Sequence, residues 1–137
     1  MRERTVHVVS LGCPKNLVDS EVMAGLLARA GGRIVSDPEE AEILLLNTCA
    51  FILPAREESI DEIFRLAELK QSGKCRYLIV AGCLSQRYGK ELAAEVPEVD
   101  LFLGISEVPN IAVHLRKLLE GRSDAAINRA VVTPPLF

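Results

Sequence analysis

This chain of 137 residues contains no tryptophan, and only 4% of its residues are aromatic. Large rings cannot build its core, which must come from Val, Ile, Leu and Ala, the aliphatic set of parallel sheets covered by helices. No apolar run approaches the roughly 18 residues that a membrane span requires. Met1-Arg2-Glu3-Arg4 leads into the first apolar stretch without the hydrophobic segment of a signal peptide, so a cytoplasmic location is expected. There is also no block of Lys or Arg. The formal net charge is -3 with acids and bases interspersed, and a nucleic-acid or anionic-membrane surface is not indicated. No internal repeat or low-complexity tract stands out.

What the chain does have is apolar bulk and four cysteines: 49% of its residues are hydrophobic. At this length one domain is expected, burying about 68% of the surface of the unfolded chain. In a reducing compartment the four cysteines are expected to be free, catalytic or metal-binding rather than disulfide-bonded. Three of them share a setting. Cys13 follows the apolar run Val6 to Leu11 and a glycine, Cys49 follows Ile43 to Leu46 and Asn47-Thr48, and Cys83 follows Tyr77 to Val80 and Ala81-Gly82. Each ends a predicted core strand.

The rest of the pattern alternates strand and helix. Asn16 is a good N-cap for a helix from about Leu17 to Ala30, closed by Gly31-Gly32, with Val18, Val22, Leu26 and Ala30 as an inward stripe beside Leu27. Glu21 and Arg29 face out. Arg33 to Ser36 is a short peripheral strand, and Asp37-Pro38 caps and opens one helical turn. Ile43 to Asn47 is a central strand. Pro54 breaks the segment that follows, and a helix runs from about Ala55 to Gln71, with Ile60, Ile63, Phe64 and Ala67 at helical spacing and Asp61 placed to pair with Arg65. Arg76 to Ala81 forms the next strand, and Leu84 to Val96 a helical region interrupted near Gly89. Leu101 to Gly104 is a further strand, and Val108 to Glu120 a last helix with Ile111, Leu115, Leu118 and Leu119 inward. From Arg122 onward periodicity is lost, and residues 122–137 read as a linker toward a domain of a longer parent protein.

Five strands alternating with helices predict an α/β fold: a doubly wound open parallel five-stranded sheet, order 2-1-3-4-5, with helices on both faces. In that order the first, third and fourth strands are neighbours about 4.8 Å apart. The loops carrying Cys13, Cys49 and Cys83 then meet at one rim. Three thiolates are soft ligands suited to zinc or an iron-sulfur cluster, whereas a lone cysteine is commonly a small buried hydrophobe. Gly12 and Gly82 permit close backbone approach. Asn16, Asn47, Thr48 and Ser85 lie near the proposed site, each with a structural use as cap or turn residue as well. Cys75 precedes its strand, at the amino-terminal pole, and is not expected to be a ligand. His7 and His114 are expected to be surface or packing residues.

Three segments carry a family resemblance: Ser10-Leu11-Gly12-Cys13-Pro14-Lys15-Asn16-Leu17-Val18-Asp19-Ser20-Glu21; Asn47-Thr48-Cys49-Ala50-Phe51-Ile52 with Glu58-Ser59-Ile60-Asp61; and Gly82-Cys83-Leu84-Ser85-Gln86-Arg87-Tyr88. Together they resemble the amino-terminal domain of radical-SAM methylthiotransferases, over nearly the whole chain. Pro14-Lys15 and Phe51-Ile52 look like the RimO type, which acts on an aspartate of small-subunit ribosomal protein twelve, rather than the MiaB type, which acts on a tRNA adenosine. The resemblance implies that Cys13, Cys49 and Cys83 hold an auxiliary 4Fe-4S cluster, whose iron without a cysteine ligand binds the sulfur to be inserted into a carbon-hydrogen bond. It implies residues 1–121 as that iron-sulfur domain. The family's C-x-x-x-C-x-x-C motif, with its second 4Fe-4S cluster and S-adenosyl-L-methionine, and its carboxy-terminal recognition domain are not in this chain. The fragment is therefore expected to be inactive alone, its partners being those domains and the ribosomal protein.

The residues themselves leave other readings open. A three-thiolate zinc module would use the same cysteines, and a thiol redox sensor would pair Cys13 with Cys49 or Cys83. A flavin binder or phosphoacceptor fits the fold but lacks a Ser/Thr-rich phosphate cradle after the first strand, and the third strand ends in Asn-Thr-Cys rather than Asp.

Overall fold

The aliphatic runs form strands because β-branched and leucine side chains pack well on a pleated surface covered from both sides. The computed structural model describes residues 4–11, 14–48, 53–72, 75–82, 91–92, 94–96, 98–104, 109–119 and 130–131. Its strands are β1 (Thr5–Ser10), β2 (Arg33–Ile34), β3 (Ile43–Thr48), β4 (Tyr77–Gly82), β5 (Leu101–Leu103) and β6 (Ala130–Val131). They make one sheet in the order β2-β1-β3-β4-β5-β6, parallel throughout. The expected order of five strands is found. β6 extends it beyond β5, inside the stretch 122–137 read as linker; two residues are too few to leave a periodic signal.

Helices α1 (Pro14–Arg29), α2 (Leu53–Ser72) and α3 (Ile111–Leu119) cover the two faces. All six residues of β3 are buried, and alternation along the strand divides them between two cores. Ile43 and Leu45 join Met23, Leu27, Ile111 and Leu115 under α1 and α3. Leu44 and Leu46 join Ile63, Leu66, Ala67 and Val96 under α2 and the helical residues near 92. Each such leucine contributes about 1.5–3 kcal/mol by leaving water. None of the described helices is long and apolar enough to cross a membrane.

Four local expectations are corrected. α1 opens at Pro14, so Asn16 lies within the helix rather than capping it; a proline has no N–H to satisfy and suits a first turn. The sheet side of α1 is Ser20, Met23 and Leu27, while Val18 and Val22 are 58% and 46% exposed. In α2 the buried residues are Ile63, Leu66 and Ala67, and Phe64 is exposed. Arg65 pairs with Glu62, one turn back, instead of Asp61. The Asp37 cap is as expected: its side chain accepts from the Glu39 N–H at 2.9 Å at the start of a 3-10 turn, Pro38–Glu40.

The amino-terminal rim of the sheet is tied across elements. Arg4 pairs with Glu42 at 3.1 Å and its guanidinium lies 6.0 Å from the Tyr77 ring centroid. Lys70 Nζ meets Asp100 Oδ2 at 2.6 Å and donates to the Glu98 carbonyl at 2.8 Å, while Asp100 Oδ2 also accepts the Leu78 N–H at 2.9 Å. That carboxylate thus caps the start of β4 and the end of α2 together.

Candidate functional site

The opposite, carboxyl rim is where a parallel sheet presents ligands. Parallel pairing sets Ser10 beside Asn47, Asn47 beside Ala81, and Thr48 beside Gly82. The Leu11 N–H continues the ladder to the Asn47 carbonyl at 3.0 Å. β1, β3 and β4 therefore end level with one another. This follows from three aliphatic runs of equal length, each stopped by a small or polar residue.

The rim is built from buried polar groups. Asn47 Nδ2 donates to Ser20 Oγ at 3.0 Å, and the two residues are 1% and 5% exposed. That bond ties the second turn of α1 to the end of β3. Thr48 Oγ1 donates to the Ala81 carbonyl at 2.8 Å, bridging β3 to β4. Gly82 has φ of +106°, and a Cβ there would stand 2.6 Å from both Asn47 Oδ1 and the Thr48 carbonyl oxygen. Only glycine fits, because a side chain would need both an unfavourable dihedral and space already filled. The expectation of an unusual glycine backbone is thus met at Gly82.

The thiols themselves are another matter. Cys13, Cys49 and Cys83 lie outside the described residues, as do Gly12 and Ser85. The described neighbours are Leu11, Thr48 and Gly82. Among the described residues no group of three or more His, Cys, Asp or Glu side chains could hold a metal ion. Cys75 is buried at the amino-terminal rim, its thiol donating to the Tyr77 carbonyl at 3.2 Å. Burial pushes that thiol's pKa up, against the lowering effect of backbone hydrogen bonds, so it stays protonated and unreactive.

His7 Nδ1 is 2.9 Å from the Val35 carbonyl. A carbonyl only accepts, so Nδ1 carries the hydrogen and the ring staples β1 to the residue after β2. His114 lies half-buried on α3. Neither is near the carboxyl ends of β1, β3 and β4. The residue that pattern reading passed over is Ser20: a serine in the apolar stripe of a helix is a signal only when its partner, Asn47, is known to face it.

Comparison with known proteins adds the following. A family model described as the uncharacterized protein family UPF0004 matches residues 5–104. The chain is 78% identical over 137 residues to a protein of Syntrophus aciditrophicus (strain SB) named ribosomal protein uS12 methylthiotransferase RimO, covering 100% of this chain and 30% of that protein. Proteins of the same name from Geobacter sulfurreducens (59% over 132 residues) and Heliobacterium modesticaldum (51% over 124 residues) are covered over 29% and 27% of their lengths, and 96% and 90% of this chain takes part. The chain thus spans less than a third of these curated relatives.

Proposed function

Because the chain belongs to the family UPF0004, we propose that it is the amino-terminal domain of a ribosomal protein uS12 methylthiotransferase, with Cys13, Cys49 and Cys83 holding an auxiliary 4Fe-4S cluster. The observation that carries this reading is the register of the central strands. Thr48 and Gly82 are partners on adjacent strands, and each is covalently bonded to one of the cysteines. Leu11, two residues before Cys13, is bonded to the Asn47 carbonyl beside them. With about 3.8 Å between successive Cα atoms and about 4.8 Å between strands, the three thiols are tethered within reach of one cluster.

The donor set fits such a group: three soft thiolates suit iron-sulfur ligation, and Gly82, with no Cβ to intrude, leaves the backbone close to Asn47 and Thr48. When bound, the cluster supplies an iron without a protein ligand, able to carry the sulfur destined for the substrate. The chain's own residues do the holding. Ser20 and Asn47 lock α1 against β3, which fixes the spacing between the loops of Cys13 and Cys49, and Thr48 ties β3 to β4 between Cys49 and Cys83. Hydrogen abstraction, S-adenosyl-L-methionine, the second cluster and recognition of the ribosomal protein belong to the other parts of the full-length enzyme. The relatives' names favour the ribosomal substrate over a tRNA adenosine, and such an enzyme works in the cytoplasm.

Anaerobic reconstitution with iron and sulfide tests the reading. The parent chain and Cys75→Ala should take up iron and acid-labile sulfide with visible absorption; the triple change Cys13→Ala, Cys49→Ala, Cys83→Ala should take up neither. Retention of iron by the triple variant sinks the assignment. Stoichiometric zinc without sulfide would make the domain a zinc module.

A further inference from the structure

We infer that the solvent-facing side of α1 is the seat of the carboxy-terminal remainder of the full-length polypeptide, packed beside the cysteine rim. A surface helix turns its polar residues outward, and α1 does not. Opposite the sheet-facing Ser20, Met23 and Leu27 it presents Val18, Val22, Gly25 and Arg29, at i, i+4, i+7 and i+11, all exposed. α1 is apolar on two sides, and the sheet covers one.

Gly25 carries the argument further. Glycine inside a helix is disfavoured relative to alanine, and a Cβ at Gly25 would meet nothing within 4 Å. The space is open within this chain, and a glycine there lets another backbone approach closely. The exposed apolar residues are also one-sided. Of five large ones among the described residues, Val18 and Val22 are on α1, Val113 is on α3 of the same layer, and Ile34 is on β2. Ile34 is the register partner of Val6, which points into the core beneath α1, so four of the five lie on this side. Phe64 alone is on the other.

The occupant follows from length and position. The chain matches all of its own residues to 30% of the Syntrophus relative, at that protein's amino-terminal end, so most of such a polypeptide is available to cover this face. α1 begins next to Cys13 and returns antiparallel to β1, so its first turns, with Val18, lie at the carboxyl rim. A body seated there stands next to the thiols. The inference rests on the reading above only in taking this chain as the front part of a longer polypeptide; the iron assay and the interface assay fail separately.

The test compares the isolated 137-residue chain with the full-length protein, each as parent and as the double variant Val18→Asp, Val22→Asp, with Phe64→Asp as the control on the other layer. In the isolated chain the double variant should melt like the parent, since exposed substitutions of this kind perturb little. In the full-length protein it should raise the radius of gyration by small-angle scattering and speed proteolysis after this domain, while Phe64→Asp leaves both unchanged. Hydroxyl-radical footprinting needs no substitution: Val18 and Val22 should be several-fold less labelled in the full-length protein than in the isolated chain. Equal labelling, or a double variant as compact as the parent, overturns the proposal. So does an isolated parent chain that is a dimer and becomes a monomer on double substitution, because a second copy is then the occupant.

Discussion

Replacing Gly82 by alanine puts the carboxyl rim under its most direct stress. The residue sits at φ of +106°, where a non-glycine residue costs about 1–3 kcal/mol. Its new Cβ would lie 2.6 Å from the Thr48 carbonyl oxygen, which is backbone in the neighbouring strand, and 2.6 Å from Asn47 Oδ1, which is held by the bond to Ser20. Neither neighbour is the free end of a flexible side chain, so β3 and β4 must part locally. Together the two effects amount to about 3 kcal/mol or more. For a chain of this size 1 kcal/mol moves the melting temperature by about 3–5 °C, so Gly82→Ala should melt roughly 10–15 °C lower. Circular dichroism on the apo chain reads this without any iron. Gly25→Ala is the internal contrast: the site is open and helical, and alanine should stabilise by about 0.8–1 kcal/mol and raise the midpoint by about 3–4 °C. A Gly82→Ala chain melting within about 3 °C of the parent would refute the reasoning, since strain and clash would then both be relieved at no cost.

Ser20→Ala removes the buried acceptor of the Asn47 amide and should destabilise by about 1–3 kcal/mol, seen as a lower urea midpoint at unchanged slope. An unchanged midpoint would mean the bond contributes nothing. In the triple Cys13, Cys49, Cys83 to Ala background, Cys75 is the sole thiol; its raised pKa and burial predict no reaction with a thiol reagent until the chain unfolds. The same shift has a signed effect on stability. The unfolded thiol loses its proton above its ordinary pKa of about 8.5 while the folded one keeps it, so stability should fall as pH rises from about 8 to about 10. The further change Cys75→Ala should abolish that slope.

How much of this was legible in the sequence depends on whether the signal was local. The strand order followed from three continuous aliphatic runs and the rule that parallel strands need helical crossovers, and the position of Cys75 followed from its place before rather than after its strand. The inward side of α1 was not legible. Val18, Val22 and Leu26 form as good a helical stripe as Met23 and Leu27, and what selects between them is Ser20, whose partner Asn47 lies 27 positions away. Phe64 illustrates the same limit: it and Leu66 both fit an apolar period, and the sheet took the leucine. Asn16 was displaced as cap because Pro14 can itself open a helix.

The two rims of the sheet divide their duties. At one, Lys70, Asp100, Arg4 and Glu42 clamp strand starts to neighbouring elements; at the other, the backbone hands over to the three cysteine-bearing loops. Strength is invested where no chemistry is proposed, so the loops can be rewritten, oxidised or emptied of metal while the scaffold beneath them persists. A protein built this way can wait, folded, for its iron.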